Sequence, residues 1–175
     1  MLFEKIKHIE SVNLGVVSQT AGGSGVGTQK EFDGYIDTLG YTNLMLIVTN
    51  EFSVADSETL EIEIEVLHAP EHASTADEPG DFVEVDIDFD KQTFKYETAE
   101  EIEGEVVGDS NYIVIPLKLN SLKRFVTLGV TADFSAGETD NMSSYGFGIL
   151  MTNKDTRNVP EATTIGKFID MEIEE

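Results

Sequence analysis

Three carboxylates, Asp86, Asp88 and Asp90, recur at every second position and have the spacing in this chain that most suggests metal chemistry. Side chains two residues apart on a strand lie on one face, roughly 7 Å apart, so these three would form a row. Calcium prefers six to eight oxygen ligands that converge on one point. A flat row cannot supply them alone, although Asp81, Glu84 or a loop could complete the set. The pattern therefore predicts either a solvated acidic strand face or a structural calcium site.

Two histidines, His68 and His72, are four residues apart and have Glu71 between them. On a helix this spacing would place both imidazoles on one face, as in zinc sites. Pro70 and Pro79 predict a loop instead, and the zinc-protease motif, which needs Glu directly after its first His, is absent. We expect a surface loop. If this loop forms a site, proton-sensitive switching would suit its histidines as well as metal binding would.

The glycine-rich stretch from Gly22 to Gly27 invites comparison with a phosphate-binding loop. Such a loop ends in Gly-Lys-Ser/Thr before a helix, whereas Thr28 follows Gly27 here and the flanks are strand-like. Ser24 lacks the second glycine of a nucleophile elbow. With 34 acidic residues, the sequence does not exclude a pair of carboxylates placed as in the active site of a glycosidase. Sugar-binding clefts usually carry aromatic platforms, however, and the chain has no tryptophan. We therefore predict that the protein is not an enzyme and has no cofactor.

Composition excludes several classes of partner. The chain has 175 residues, 34 acidic against 11 basic, and a formal net charge of −23. Binding to nucleic acid or to an anionic membrane needs a concentrated basic surface, so we expect neither partner. There is no cysteine, which removes disulfides and thiolate metal sites. The N-terminus lacks the apolar core of a signal peptide, and we expect synthesis in a cytoplasm.

Period-two patterning predicts the elements that must position these residues. Apolar Leu60, Ile62, Ile64 and Val66 alternate with glutamates at 61, 63 and 65, which predicts a strand with one buried and one water-facing side. The same alternation covers residues 82–89 and residues 124–132. Residues 82–89 could pair with Thr93–Tyr96 as a hairpin. The run Asn43–Thr49 is almost continuously apolar, as in a strand buried on both faces or lying mid-sandwich. Pro116 predicts an edge strand or a bend over residues 112–119.

The spacing of these segments predicts an all-β protein. About eight to ten strands separated by turn signals indicate an antiparallel β-sandwich or jelly roll with extended terminal arms. We predict an N-terminal arm at residues 1–10, a β-sandwich domain at residues 11–157 with its first strand near Ser11, and a C-terminal extension at residues 158–175.

Three segments resemble the capsid decoration (cement) proteins of tailed phages and related viruses. They are the stretch from Asp33 to Asp37 followed by Asn43–Val48, the Ser57–Ile64 segment with Thr-Leu before an alternating strand, and Leu122–Leu128 followed by the small-residue strand Tyr145–Leu150. The similarity spans about residues 30 to 152. It implies a jelly-roll protein on the outer capsid surface that forms a homotrimer and stabilises the shell by binding major capsid protein subunits.

The resemblance also implies that the terminal arms add contact area by ordering on the partner. The apolar residues expected to anchor them are Leu2, Phe3, Ile6, Phe168, Ile169 and Met171. Packing of both ends on the chain's own sandwich is the competing interpretation. Two other functions stay open: another virion part, such as a tail or head-fibre module, and a carbohydrate- or other ligand-binding β-sandwich with a calcium site at the Asp86 row.

Overall fold

The computed structural model of the chain describes residues 8–22, 27–54, 58–85, 92–97, 107–135 and 140–152, with residues 92–97 and 107–111 described by their backbone alone. These residues form ten strands and a short 3-10 turn, Leu119–Ser121, without an α-helix. The strands are β1 (His8–Thr20), β2 (Lys30–Glu31), β3 (Ile36–Asp37), β4 (Asn43–Val54), β5 (Thr59–Ala69), β6 (Val83–Glu84), β7 (Gln92–Glu97), β8 (Val107–Lys118), β9 (Phe125–Phe134) and β10 (Asn141–Thr152). In this part of the chain no helix is long and apolar enough to cross a membrane.

The strands form two antiparallel sheets. The four-stranded sheet has the order β1-β10-β4-β8. In the other sheet β9 and β5 lie side by side, β2 and β3 share the free edge of β9, and β6 and β7 share the free edge of β5. The chain passes from one sheet to the other at six of the nine connections between these strands, and the strand orders are those of a jelly roll. The predicted all-β sandwich or jelly roll is confirmed.

The core lies between the two sheets and is filled by alternate residues of the long strands. Leu44, Leu46 and Val48 of β4 are at most 1% exposed, and they pack with equally buried residues of β5 and β9. Full burial of one such side chain contributes roughly 1.5–3 kcal/mol. The intervening Met45 and Ile47 are half-buried on the outer face. Only one side of the Asn43–Thr49 run therefore faces the core. Burial in the core does not explain why Met45 and Ile47, on the other side, are also apolar.

The alternation predicted for residues 82–89 holds only in part. Val85 is buried, but Val83 is 44% exposed at the sheet edge, so it does not belong to the buried side. For the described part of the predicted first strand, residues 82–85, the hairpin with Thr93–Tyr96 is wrong, and residues 86–89 lie outside the described residues. Strands β6 and β7 run in the same direction, each antiparallel to β5, and so follow one another along its edge.

Several predicted features fall outside the described residues. They include the row of Asp86, Asp88 and Asp90 and the six expected anchor residues Leu2, Phe3, Ile6, Phe168, Ile169 and Met171. At the N-terminus, β1 begins at His8 and so includes the last three residues of the predicted arm.

Both edges of the four-stranded sheet carry an irregularity. In β1, a β-bulge between Asn13 and Gly15 interrupts the pairing with β10, and Gly15 takes a φ of 101° that a side chain would disfavour. On the opposite edge, β8 pairs with β4 alone in the described structure, and Pro116 lies opposite Met45. This agrees with the edge position that the proline predicted.

The bulge also brings β1 against the connection between β2 and β3. The Gly34 N–H donates to the Leu14 carbonyl at 2.9 Å. A Cβ atom on Gly34 would lie 2.7 Å from that oxygen and 2.9 Å from the Leu14 Cα atom. Because backbone cannot move aside as a flexible side chain can, this close approach requires glycine.

We expect Gly34→Ala to lower the free energy of unfolding by about 1–3 kcal/mol, the usual cost of forcing extra atoms into a packed site. Thermal unfolding followed by circular dichroism measures this. Gly80→Ala is the matched control, since its added Cβ would lie at an ordinary 3.5 Å from the Pro70 oxygen. Equal melting temperatures for the two variants would contradict the argument.

Candidate functional site

The outer face of the four-stranded sheet carries an apolar surface that spans all four strands. Side chains of cross-strand partners lie on the same side of a sheet, so the pairing register defines its rows. Four consecutive rows, in the strand order β1, β10, β4, β8, are Ile9, Met151, Asn43 and Lys118; Ser11, Ile149, Met45 and Pro116; Asn13, Phe147, Ile47 and Val114; and Val16, Tyr145, Thr49 and Tyr112. We call this surface the apolar sheet face.

The large side chains of this face are accessible to solvent. Tyr112 is 75% exposed, Val16 49%, Val114 44% and Phe147 40%. Residues of the two central strands, such as Ile47, are half-buried by their lateral neighbours. Soluble monomeric proteins rarely expose a contiguous apolar surface of this size, and such surfaces commonly mark interaction sites.

Charge is nearly absent from the apolar sheet face. Among the side chains of its four rows only Lys118, at one end, is charged, and Glu51 lies in the adjacent fifth row, beyond Thr49. Glu51 accepts a hydrogen bond from the Tyr145 hydroxyl at 3.4 Å. In a chain with 34 acidic residues this is a pronounced deficit of carboxylates.

The other sheet turns carboxylates toward solvent. Its outer face carries Glu31, Glu61, Glu63, Glu84 and Asp133. Glu61 and Asp133 are directly opposite one another, an arrangement that costs stability through like-charge repulsion. The two outer faces of the sandwich therefore differ sharply in character.

One of the three glutamates predicted to face water is covered. Glu65 is 8% exposed and accepts a hydrogen bond from the Gln29 side-chain amide. This is feasible because Gly129, the cross-strand partner of Glu65, has no side chain and leaves room for Gln29 to lie over it. The prediction that this side is solvated is thus confirmed for Glu61 and wrong for Glu65.

Arg124 organises one end of the acidic face. It donates two hydrogen bonds to Asp37, from Nε at 2.9 Å and from Nη2 at 2.7 Å. Its Nη2 also lies 2.7 Å from Asp77 Oδ1, and its Nη1 lies 3.1 Å from Glu71 Oε2. The pKa of Arg124 is raised above its usual value, mainly by the hydrogen bond to Asp37. Three carboxylates from two separate segments thus share the single positive charge of one guanidinium.

The Arg124 cluster covers a small apolar group on the outer side of β5 and β9. The guanidinium carbon lies 4.9 Å from the Phe125 ring centroid, and Tyr35 meets that ring edge-on at 5.5 Å. Phe125 and its neighbours Leu67 and Ala69 are at most 3% exposed although they point away from the main core. The loop of residues 70–80 is held over them through Glu71 and Asp77.

The histidine pair does not form a joint site. His68 lies near the end of β5, where its Nδ1 accepts a hydrogen bond from the Lys123 N–H at 3.3 Å. Burial, and then the nearby charge of Lys123, lower the pKa of His68. His72 lies in the predicted loop, and its Nδ1 accepts from the Ser74 N–H at 3.3 Å. The described residues contain no group of three potential metal ligands.

Glu58 and Asp140 form a carboxyl pair at the starts of β5 and β10. One oxygen of each group, Glu58 Oε2 and Asp140 Oδ2, is buried. The hydrogen bond with Asp140, then burial, then the Asp140 charge raise the pKa of Glu58 above its usual 4.5. Such a hydrogen bond between two carboxyl groups requires a proton on one of them.

Comparisons with known proteins assign no family. No known protein family and no curated protein matches the chain in sequence. Among solved structures it is similar to a chain of the infectious bursal disease virus particle, with a TM-score of 0.48, 10% identity and coverage of 87% of this chain and 32% of that one. For the VP2 subviral particle of that virus the values are 0.44, 11%, 87% and 34%. For the Eiger TNF of S. frugiperda they are 0.39, 13%, 93% and 99%.

All of these TM-scores are below 0.5 and the identities are at most 13%. Similarity at this level transfers no function to the chain. The chain also spans only about a third of the length of the two viral chains that it matches.

We expect Arg124→Ala to lower the free energy of unfolding by about 1–3 kcal/mol, chiefly because the two hydrogen bonds to Asp37, which is 26% exposed, are lost. Glu71 and Asp77 are 43% and 74% exposed, so solvent screens their attraction to the guanidinium and they add little. Arg124→Lys should recover only part of this, since an ammonium cannot form the two parallel hydrogen bonds to Asp37. Chemical denaturation measures both changes. Lys123→Ala is the neighbouring control and should be close to wild type. An Arg124→Lys protein as stable as wild type would refute the bidentate role.

We expect Glu58→Gln to raise the melting temperature at pH 7 and to lose this advantage near pH 4. The raised pKa of Glu58 means that its protonated form favours the folded state. That contribution is complete below the unfolded pKa near 4.5 and is lost as the pH rises through the folded value. Differential scanning calorimetry between pH 4 and 8 tests this, with the exposed Glu84→Gln as control. A melting temperature lowered at pH 7 would contradict the expected sign.

Proposed function

We propose that the chain is a non-enzymatic structural protein of a virion that decorates and stabilises the outer capsid surface by binding major capsid protein subunits. The observation that supports this most is the division of its surface. One sheet presents an apolar, almost uncharged face, and the other presents carboxylates. A protein that associates on one side and faces salt and solvent on the other needs this division.

The jelly roll fits such a role without requiring it. The same architecture occurs in viral capsid proteins, lectin domains and cupins, so function depends on the surface that each member carries. Here the surface of the described residues offers an area for protein contact and no cluster of three metal ligands. The resemblance of the Asp33–Asp37, Ser57–Ile64 and Leu122–Leu128 segments to capsid decoration proteins supports the virion assignment.

Decoration needs no reaction, only several weak contacts made together. Each additional contact by a tethered segment benefits from a high effective concentration, so overall affinity can greatly exceed that of any single contact. We propose that Leu2, Phe3 and Ile6 near one end, and Phe168, Ile169 and Met171 near the other, supply such contacts to the capsid. The resemblance further implies a homotrimer on the outer surface of the virion.

The proposal predicts that the purified protein co-sediments with capsids of its virus that lack it, and that it raises their temperature of disruption. Replacing Leu2, Phe3 and Ile6 with Ser should weaken binding about tenfold or more, since the apolar anchor is lost. A control that replaces Glu4 and Lys5 with Ser should bind like wild type. Absence of capsid binding by the wild-type protein at high micromolar concentration would overturn the proposal.

A further inference from the structure

We infer that the apolar sheet face is the contact surface for a second copy of this chain, stacked face to face about a two-fold axis. The inference goes beyond the proposed function and rests on it only in treating this face as an association surface. It assigns the face to a second copy, so contact with the capsid would be left to the segments that contain Leu2, Phe3 and Ile6 and Phe168, Ile169 and Met171. It rests on the chemistry of the face, on its charge pattern and on its area.

Charge makes the apolar sheet face, and not the acidic outer face of the other sheet, the surface through which two copies can meet. Two molecules that each carry a net charge of −23 repel one another, and contact through the acidic sheet would bring Glu61, Glu63 and Asp133 of both copies together. The apolar sheet face is the broad surface of the described structure on which carboxylates are almost absent. Burying it in both copies removes apolar area from water with little electrostatic penalty.

Lys118, at one end of the face, and Glu51, in the row next to its other end, are complementary in one orientation. Lys118 is in the first row, and Glu51 is in the fifth, two residues beyond Thr49 along β4. A two-fold axis parallel to the rows places the first row of one copy over the fifth row of the other. Each strand then lies over the equivalent strand of the second copy. Lys118 then lies in the row of the second copy that contains Glu51. The third row, with Val114, Ile47 and Phe147, faces itself at the axis.

The area suits a weak but specific contact. Four strands about 4.8 Å apart give a width of about 19 Å, and five rows, including the row of Glu51, about 6.7 Å apart give a length of about 34 Å. Each copy therefore contributes about 650 Å², or about 1,300 Å² in total, which is at the small end of the range for specific interfaces. The aromatic rings of Tyr112, Tyr145 and Phe147 are of the residue types that dominate binding energy at such surfaces. We expect a reversible dimer that dissociates in the micromolar range.

A flat face that pairs with itself closes after two copies. The inference therefore expects a dimer at this contact, whereas the resemblance to decoration proteins implies three copies. The mass of the protein in solution separates the two.

The first test is sedimentation velocity of the full chain between about 1 and 500 μM at physiological salt, where we expect a concentration-dependent dimer. Val114→Glu should weaken dimerisation at least tenfold, because two carboxylates would meet at the axis. Val83→Glu is the matched control: it introduces the same charge at a residue of the same 44% exposure on the other sheet, and should leave the dimer intact. Circular dichroism melts establish that both variants are folded.

Mixing charge variants tests the orientation. Val114→Glu and Val114→Lys proteins should each be monomeric alone and should form a mixed dimer when combined. A trimer, a monomer at every concentration, or a dimer unaffected by Val114→Glu would overturn the inference.

Capsid binding, measured in parallel, keeps this inference distinct from the proposed function. A wild-type dimer that binds no capsid would refute decoration and leave the pairing intact. A monomer whose capsid binding is abolished by Val114→Glu would assign the face to the capsid subunit, which overturns pairing and supports decoration.

Discussion

Excess negative charge is the constraint on which the arrangement of this molecule depends. With 34 acidic and 11 basic residues, any compact fold must keep carboxylates apart, in water or beside a cation. The six-stranded sheet carries Glu31, Glu61, Glu63, Glu84 and Asp133 on its outer face. Arg124, one of only two arginines, gathers Asp37, Glu71 and Asp77 around one guanidinium. What remains is a second sheet whose outer face is free to be apolar. The candidate site is thus a consequence of how charge is sorted between the two sheets.

Sequence periodicity predicted the sandwich because burial between two sheets imposes a period of two, and Leu60–Val66 and Val126–Val130 follow it closely. For Asn43–Thr49, where apolar residues occupy both parities, it offered two interpretations. Burial on both faces is wrong, whereas β4 does lie in the interior of its sheet. Only the even positions face the core, while Met45 and Ile47 contribute to the apolar sheet face. The sequence therefore does indicate the apolar sheet face, through apolar residues at positions that do not face the core. It also occurs at Phe147 and Ile149 and at Tyr112 and Val114, but the order of strands in the sheet was needed to bring these pairs together.

Other features could not be predicted because they depend on distant segments. The burial of Glu65 follows from a missing side chain at Gly129 and from the path of Gln29, neither of which local spacing reveals. The Arg124 cluster requires the loop of residues 70–80 to return over β9, and the sequence around Glu71 and Asp77 shows no motif for it. The carboxyl pair of Glu58 and Asp140 joins residues 82 positions apart. The calcium site considered at Asp86, Asp88 and Asp90 stays a prediction.

The irregular edges of the four-stranded sheet determine how large an assembly can grow. An apolar sheet with two open edges would template the addition of strands from other molecules, and such growth has no natural end. Here Pro116 removes a backbone donor from β8, and the bulge at Asn13 and Gly15 distorts the opposite edge. Lateral polymerisation into a fibre is therefore disfavoured on both sides, whereas contact through the face is left open. An apolar face with blunted edges therefore favours contacts that close after a finite number of copies over open-ended growth.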